Sequence, residues 1–94
     1  MKHTEQRQFL VRDIRIPYTA HPTEAIEKAK KQFGHALGCG KAAEVTEAVL
    51  YKTSIDARKK PYILRVCTVL VTANVSARET EAVCAHDRAI GVFE

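Results

Sequence analysis

The sequence predicts an α+β fold of the split-βαβ (ferredoxin-like) kind, an antiparallel sheet with two helices on one face. Three observations lead there. Strand-like and helix-like segments follow one another in the order β-α-β-β-α-(β) within 94 residues, enough for one small domain spanning 1–94. Residues 62–75 form a long apolar run almost free of helix formers, which belongs in the middle of a sheet. Ser76-Ala77-Arg78-Glu79 matches the reciprocal capping pattern that opens a helix.

The first strand is Phe9-Leu10-Val11-Arg12-Asp13-Ile14-Arg15-Ile16-Pro17. Phe9, Leu10 and Val11 begin it, and Ile14 and Ile16 alternate with the charges of Asp13 and Arg15. Alternation suits a half-buried strand, and Pro17, lacking an amide hydrogen, stops the ladder. After a loop over residues 18–22, Pro22-Thr23-Glu24 opens a helix, with Thr23 as the cap and Glu24 at the positive end of the dipole. Ile26, Ala29, Phe33 and Leu37 recur at spacings of three and four, opposite Glu27, Lys28, Lys30 and Lys31. The helix ends within residues 34–38, where Gly34 and Gly38 tolerate left-handed backbone.

Residues 42–48 suit a helix start, but Val49-Leu50-Tyr51-Lys52-Thr53 is rich in strand formers, and a strand over 46–54 is expected. Residues 55–61 read as a polar hairpin loop. In the following strand Ile63, Cys67, Val69, Val71, Ala73 and Val75 share one face, while Leu64, Val66 and Leu70 take the other. A second helix is expected over 77–89, and Ile90-Gly91-Val92-Phe93-Glu94 begins a last strand that is cut short.

The net charge of +4 is local. Lys52, Arg58, Lys59, Lys60 and Arg65 stand against Asp56 alone within residues 52–65, and the other eighty residues balance ten basic groups with ten acidic ones. This argues against a polycationic tail, which spreads its charge. No apolar run approaches the length of a membrane helix, and the opening residues lead into no signal-type apolar segment. Cys39, Cys67 and Cys84 are odd in number and irregularly spaced, so free thiols in a reducing, bacterial-type cytoplasm are expected.

Four motifs fail on context. Gly38-Cys39-Gly40-Lys41-Ala42-Ala43 satisfies the dinucleotide pattern G-x-G-x-x-A, with Asp56 thirteen residues beyond as a ribose acid. That fingerprint requires a strand delivering the glycines to a helix, and here a helix precedes them. The P-loop pattern is missed in spacing, with Ala42 where a Ser or Thr must bind magnesium. His35 with Cys39, and Cys84 with His86, are too few ligands for zinc; Cys67 and Cys84 read as small core residues and the four His as surface groups. Ser54, Cys84, His86 and Asp87 supply the residue types of a nucleophilic triad, yet neighbours on a helix point different ways. No catalytic residue and no metal ligand is assigned.

Ser54-Ile55-Asp56-Ala57-Arg58-Lys59-Lys60-Pro61 stands out. Asp56 can fold back onto loop amides as an Asx-turn, and Pro61 drives Lys60 towards extended geometry. Arg58, Lys59 and Lys60 then project as a cationic tip at one end of the sheet. A solvated loop and an anion-docking surface are both compatible with this pattern; the docking residues would be Ser54, Asp56, Arg58, Lys59 and Lys60.

This octapeptide and the strand after it, Tyr62-Ile63-Leu64-Arg65-Val66-Cys67-Thr68-Val69, resemble the N-terminal region of uncharacterised bacterial FAD-dependent dehydrogenases. The resemblance covers residues 8–75, including Asp13-Ile14-Arg15-Ile16-Pro17; the octapeptide is specific and the rest is pattern. It implies a leading domain of a larger oxidoreductase whose G-x-G-P-A-G flavin motif comes later. On that reading the chain binds no cofactor itself, FAD belongs to the parent, and the partner is the companion flavin-binding domain of the same chain. Two other readings compete. A small RNA-binding module would use the clustered charge, but the aromatic RNP motif is missing and the long strand offers only Tyr62 for stacking. A self-associating domain, forming a homo-oligomer, would pair through a free sheet edge or the uncovered face of the long strand.

Overall fold

A computed structural model describes residues 4–38 and 44–93. It shows an α+β sandwich with the element order β1 (Glu5–Pro17), α1 (Thr23–Ala36), β2 (Glu44–Lys59), β3 (Tyr62–Val75), α2 (Ala77–His86) and β4 (Ile90–Val92). The four strands form one antiparallel sheet in the order β2-β3-β1-β4, the split-βαβ arrangement that the element order predicts.

β3 lies between β1 and β2, as its two-sided apolar pattern requires, and Cys67, Val69, Val71, Ala73 and Val75 are buried on one face. β1 meets that face with Phe9, Val11, Ile14 and Ile16, an arrangement that strict alternation forbids because the first two are odd-numbered and the last two even. A bulge between Val11 and Ile14 resolves the conflict. Asp13 sits there at φ 60, a left-handed conformation that Asp tolerates better than most residues, and its carboxylate accepts a hydrogen bond from Arg15 Nε at 3.2 Å.

The helices cover this face. α1 buries Ala25, Ala29, Phe33 and Ala36, so its apolar stripe is rotated from the expected one, and Ile26 and Leu37 flank it half-buried. Small Ala residues in the centre let the helix lie close to the sheet, while Phe33 reaches Phe9 with ring centroids 4.9 Å apart. Thr23 is not the cap: Pro22 holds that position without a side-chain bond, and the Thr23 amide donates to His21 Nδ1 at 3.2 Å. Gly38, at φ 91, ends the helix as its sequence position suggests, donating its amide to the His35 carbonyl.

α2 opens on the expected reciprocal cap. Glu79 N–H donates to Ser76 Oγ at 3.1 Å, and Ser76 N–H to Glu79 Oε1 at 2.9 Å. The helix stops at His86, three residues earlier than expected. Asp87 turns the chain there, taking the Ala89 amide at 2.9 Å and Gln32 Nε2 at 2.8 Å on its carboxylate. β4 then pairs with β1, extended by Arg12 N–H to Ala89 O and Phe93 N–H to Gln8 O.

Two expected boundaries move further. β1 begins at Glu5, upstream of its apolar run, because its polar start pairs with the end of β3. β2 runs from Glu44 to Lys59 and so absorbs most of the expected loop. Three register shifts in β2, at Val45/Glu47, Leu50/Lys52 and Asp56/Lys59, break the alternation that would have marked it as one strand. The dinucleotide-like and P-loop-like glycines and the His35–Cys39 pair involve residues 39–43, which lie outside those described.

Candidate docking site at the hairpin end

The hairpin turn is only Lys60-Pro61, whose peptide bond is cis, with Lys59 and Tyr62 paired across it. Lys60 therefore belongs to the turn and does not lead extended into β3. Upstream, Ser54, Asp56 and Arg58 are strand residues. Asp56 stands opposite Leu64, and Ser54 opposite Val66, on the face of the sheet without helices. Ser54 Oγ donates to the Val66 carbonyl at 3.4 Å.

Asp56 is the centre of the site. Its Oδ1 accepts the Arg58 amide at 3.1 Å, the expected Asx bond, and Arg58 Nε at 2.9 Å. Its Oδ2 accepts Arg58 Nη2 at 2.8 Å and Arg15 Nη1 at 3.1 Å. Arg15 arrives from β1, on the far side of β3, and is braced by Asp13. One carboxylate thus ties β1 to β2 across the strand between them. The side-chain bonds from Arg58 hold the Asp56 carboxyl far below its ordinary 3.8, helped by the Arg58 amide and by Arg15 and opposed by desolvation. The same pairing raises the Arg58 guanidinium.

Arg58 is therefore not a free member of a cationic tip. It is 78% exposed yet oriented by a carboxylate that is only 14% exposed. Among the described residues, Lys59 and Lys60 make no ion pair. Arg15, Asp56, Arg58, Lys59, Tyr62 and Leu64 enclose a hollow of about 610 Å³, with the exposed Tyr62 ring and Leu64 as its apolar wall. Arg15, Tyr62 and Leu64 are the members that sequence reading left out. Arg15 and Asp56 are forty-one residues apart, and no local pattern joins them.

The rest of the uncovered face differs. Leu10, Leu70, Thr68, Thr72 and Gln8 occupy it on the two central strands. Tyr51 and Phe93, from opposite edges, meet edge-on with centroids 5.4 Å apart. Near them Gly91 accommodates the Arg12 guanidinium, since a Cβ there would come within 2.5 Å of Nη2.

Residues named for other chemistry do not converge. Cys67 is buried and Cys84 half-buried against the core, while His21, His35 and His86 are exposed. Asp87 is engaged by Gln32 and Ala89. Among the described residues no three His, Cys, Asp or Glu side chains gather as a metal would need, and no helix is long and apolar enough to cross a membrane. Gly38, the first glycine of the dinucleotide-like pattern, follows the helix α1 and not a strand, the reverse of the context that presents free amides to a pyrophosphate. No family model, no curated protein and no solved structure matches the chain.

Proposed function

We propose that this chain is a non-catalytic accessory domain preceding the flavin-binding region of a bacterial FAD-dependent dehydrogenase, and that it docks on that region through the end of the β2–β3 hairpin. The observation carrying the reading is that the octapeptide on which the family resemblance rests supplies Asp56 and Arg58, which join Arg15 of β1 in one oriented cluster. A guanidinium already held by a carboxylate loses little freedom on meeting a partner, which favours specific docking. Lys59 at the rim and Lys60 in the adjoining turn carry positive charge with no ion pair among the described residues, and Tyr62 and Leu64 supply contact area. FAD would belong to the partner region. Aliphatic and hydroxyl side chains on the central strands favour this reading over RNA stacking, for which aromatics should stand there.

The test begins with the gene downstream of the Glu94 codon, where a strand–glycine-rich turn–helix motif is expected. That region, produced separately with its flavin, should bind this chain. Arg58→Ala/Lys59→Ala/Lys60→Ala should weaken binding by about tenfold or more. A frame without such a motif, or binding indifferent to the triple substitution, overturns the proposal.

A further inference from the structure

The edge strand β2 is the least covered element of the core. The core covers its helix-side Val45 and Ala48 in part and leaves those further along open, so Leu50 is 37% and Ile55 61% exposed, while Val49 on the opposite face is 40% exposed. Their neighbours Val69 and Val71 on β3 are fully buried. Among the described residues its outer backbone edge has no neighbouring strand in the sheet. Such an edge, apolar on both faces, is a template for another strand.

The residue pattern of β2 indicates which strand. Two regularly paired stretches, residues 47–50 and 52–56, flank the irregularity at Tyr51. Glu47 lies in the first, whereas Lys52, Arg58 and Lys59 lie in or beyond the second with Asp56 as the one acid among them, so that end keeps an excess of positive charge. Antiparallel pairing of two such strands sets acidic start against basic end, and parallel pairing would set like against like. A two-fold axis through Thr53 places Lys52 beside Ser54 of the other copy, both on the uncovered face. With Tyr51 absorbed at its bulge, the same register places Leu50 beside the other copy's Ile55, both on the helix side, and carries Glu47 towards its basic end, where Lys59 has no ion-pair partner among the described residues. Sidedness and charge agree in one register.

We infer that β2 pairs antiparallel with β2 of a second copy, joining two four-stranded sheets into one of eight strands with all helices on one side. The interface is isologous, as a two-fold dimer requires. It uses the backbone edge of β2, whereas the hollow at Asp56 opens on the sheet face; Lys59 borders both, but the inference rests on strand pairing and not on the flavoprotein reading.

Light scattering of this chain between about 10 µM and about 1 mM should show the mass doubling with concentration. Amide exchange along residues 47–58 should slow in step. Ile55→Lys, an exposed position, should return a folded monomer at the concentration where the parent is a dimer. Leu50→Glu/Ile55→Lys, which sets opposite charges against each other across the two-fold, should restore the dimer. A chain monomeric throughout, a dimer that Ile55→Lys leaves intact, a double variant that stays monomeric, or exchange protection confined to another element overturns the inference.

Discussion

Asp56 shows how one residue acquires its role from partners distant in sequence. Its carboxyl titrates well below its ordinary 3.8 because Arg58 and Arg15 stabilise the charged form. A depressed folded-state value means that the stabilisation is fully present above 3.8 and is lost as pH falls from there towards the folded-state value. Acid denaturation of the parent and Asp56→Asn should therefore differ: the variant loses stability at neutral pH and loses less on acidification below 3.8. Parallel curves for the two would show that the clamp contributes nothing. Phe33 is a simpler case. It is fully buried against Phe9, and Phe33→Ala should cost about 3–5 kcal/mol in urea denaturation, the usual cost of emptying an aromatic core site. At this scale the sequence was legible where chemistry is local: Phe33 in an apolar stripe, Asp56 folding onto the Arg58 amide. Arg15 was not legible, because nothing around it announces a carboxylate forty-one positions away.

Among the elements, α2 and β2 mark the two extremes. The start of α2 is dictated by Ser76 and Glu79 within one turn, and the expected cap is the observed one. Ser76→Ala should lower stability by about 1 kcal/mol, and Ser76→Asp should recover most of it; an unchanged thermal midpoint in the alanine variant would mean that the cap is dispensable. Gly38 ends α1 at φ 91, where a Cβ is strained, and Gly38→Ala should cost roughly 1 kcal/mol although nothing touches the site. β2 reads as shorter along the chain than it is, because three register shifts scramble its alternation and charged residues at a hairpin's end resemble a loop. Asp56 and Arg58 remain in the strand by satisfying each other there. The bulge at Asp13 has the opposite effect, since Ile14 and Ile16 announce β1 while nothing local marks the parity change that places them with Phe9 and Val11.

The whole molecule is long for its size, 52 × 27 × 22 Å, with a radius of gyration of 14.0 Å where about 12 Å is usual for this length. The hairpin explains it: strands of 16 and 14 residues at about 3.3 Å each reach nearly the full length. Burial is concentrated on β1 and β3 beneath the helices, and β2 is covered poorly. Hydrogen exchange should accordingly be slowest in the middle of β3 and in residues 9–11 of β1, and faster by orders of magnitude along the outer edge of β2 in dilute solution. Uniform protection across the four strands would contradict this distribution.

Element order, the capping box, the glycine end of α1 and the two faces of β3 all follow from residues within a few positions of one another. Propensity, capping and alternation act over that range, and such features can be read along the chain. The depth of β2's extension, the bulges, the end of α2 at Asp87 and the meeting of Arg15 with Asp56 depend on which strands become neighbours. Pairing brings together residues tens of positions apart, and hydrogen-bond and charge complementarity across those contacts outweigh local preference. The basic octapeptide was thus visible as a concentration of charge, but only the sheet made it an oriented cluster with one carboxylate at its centre.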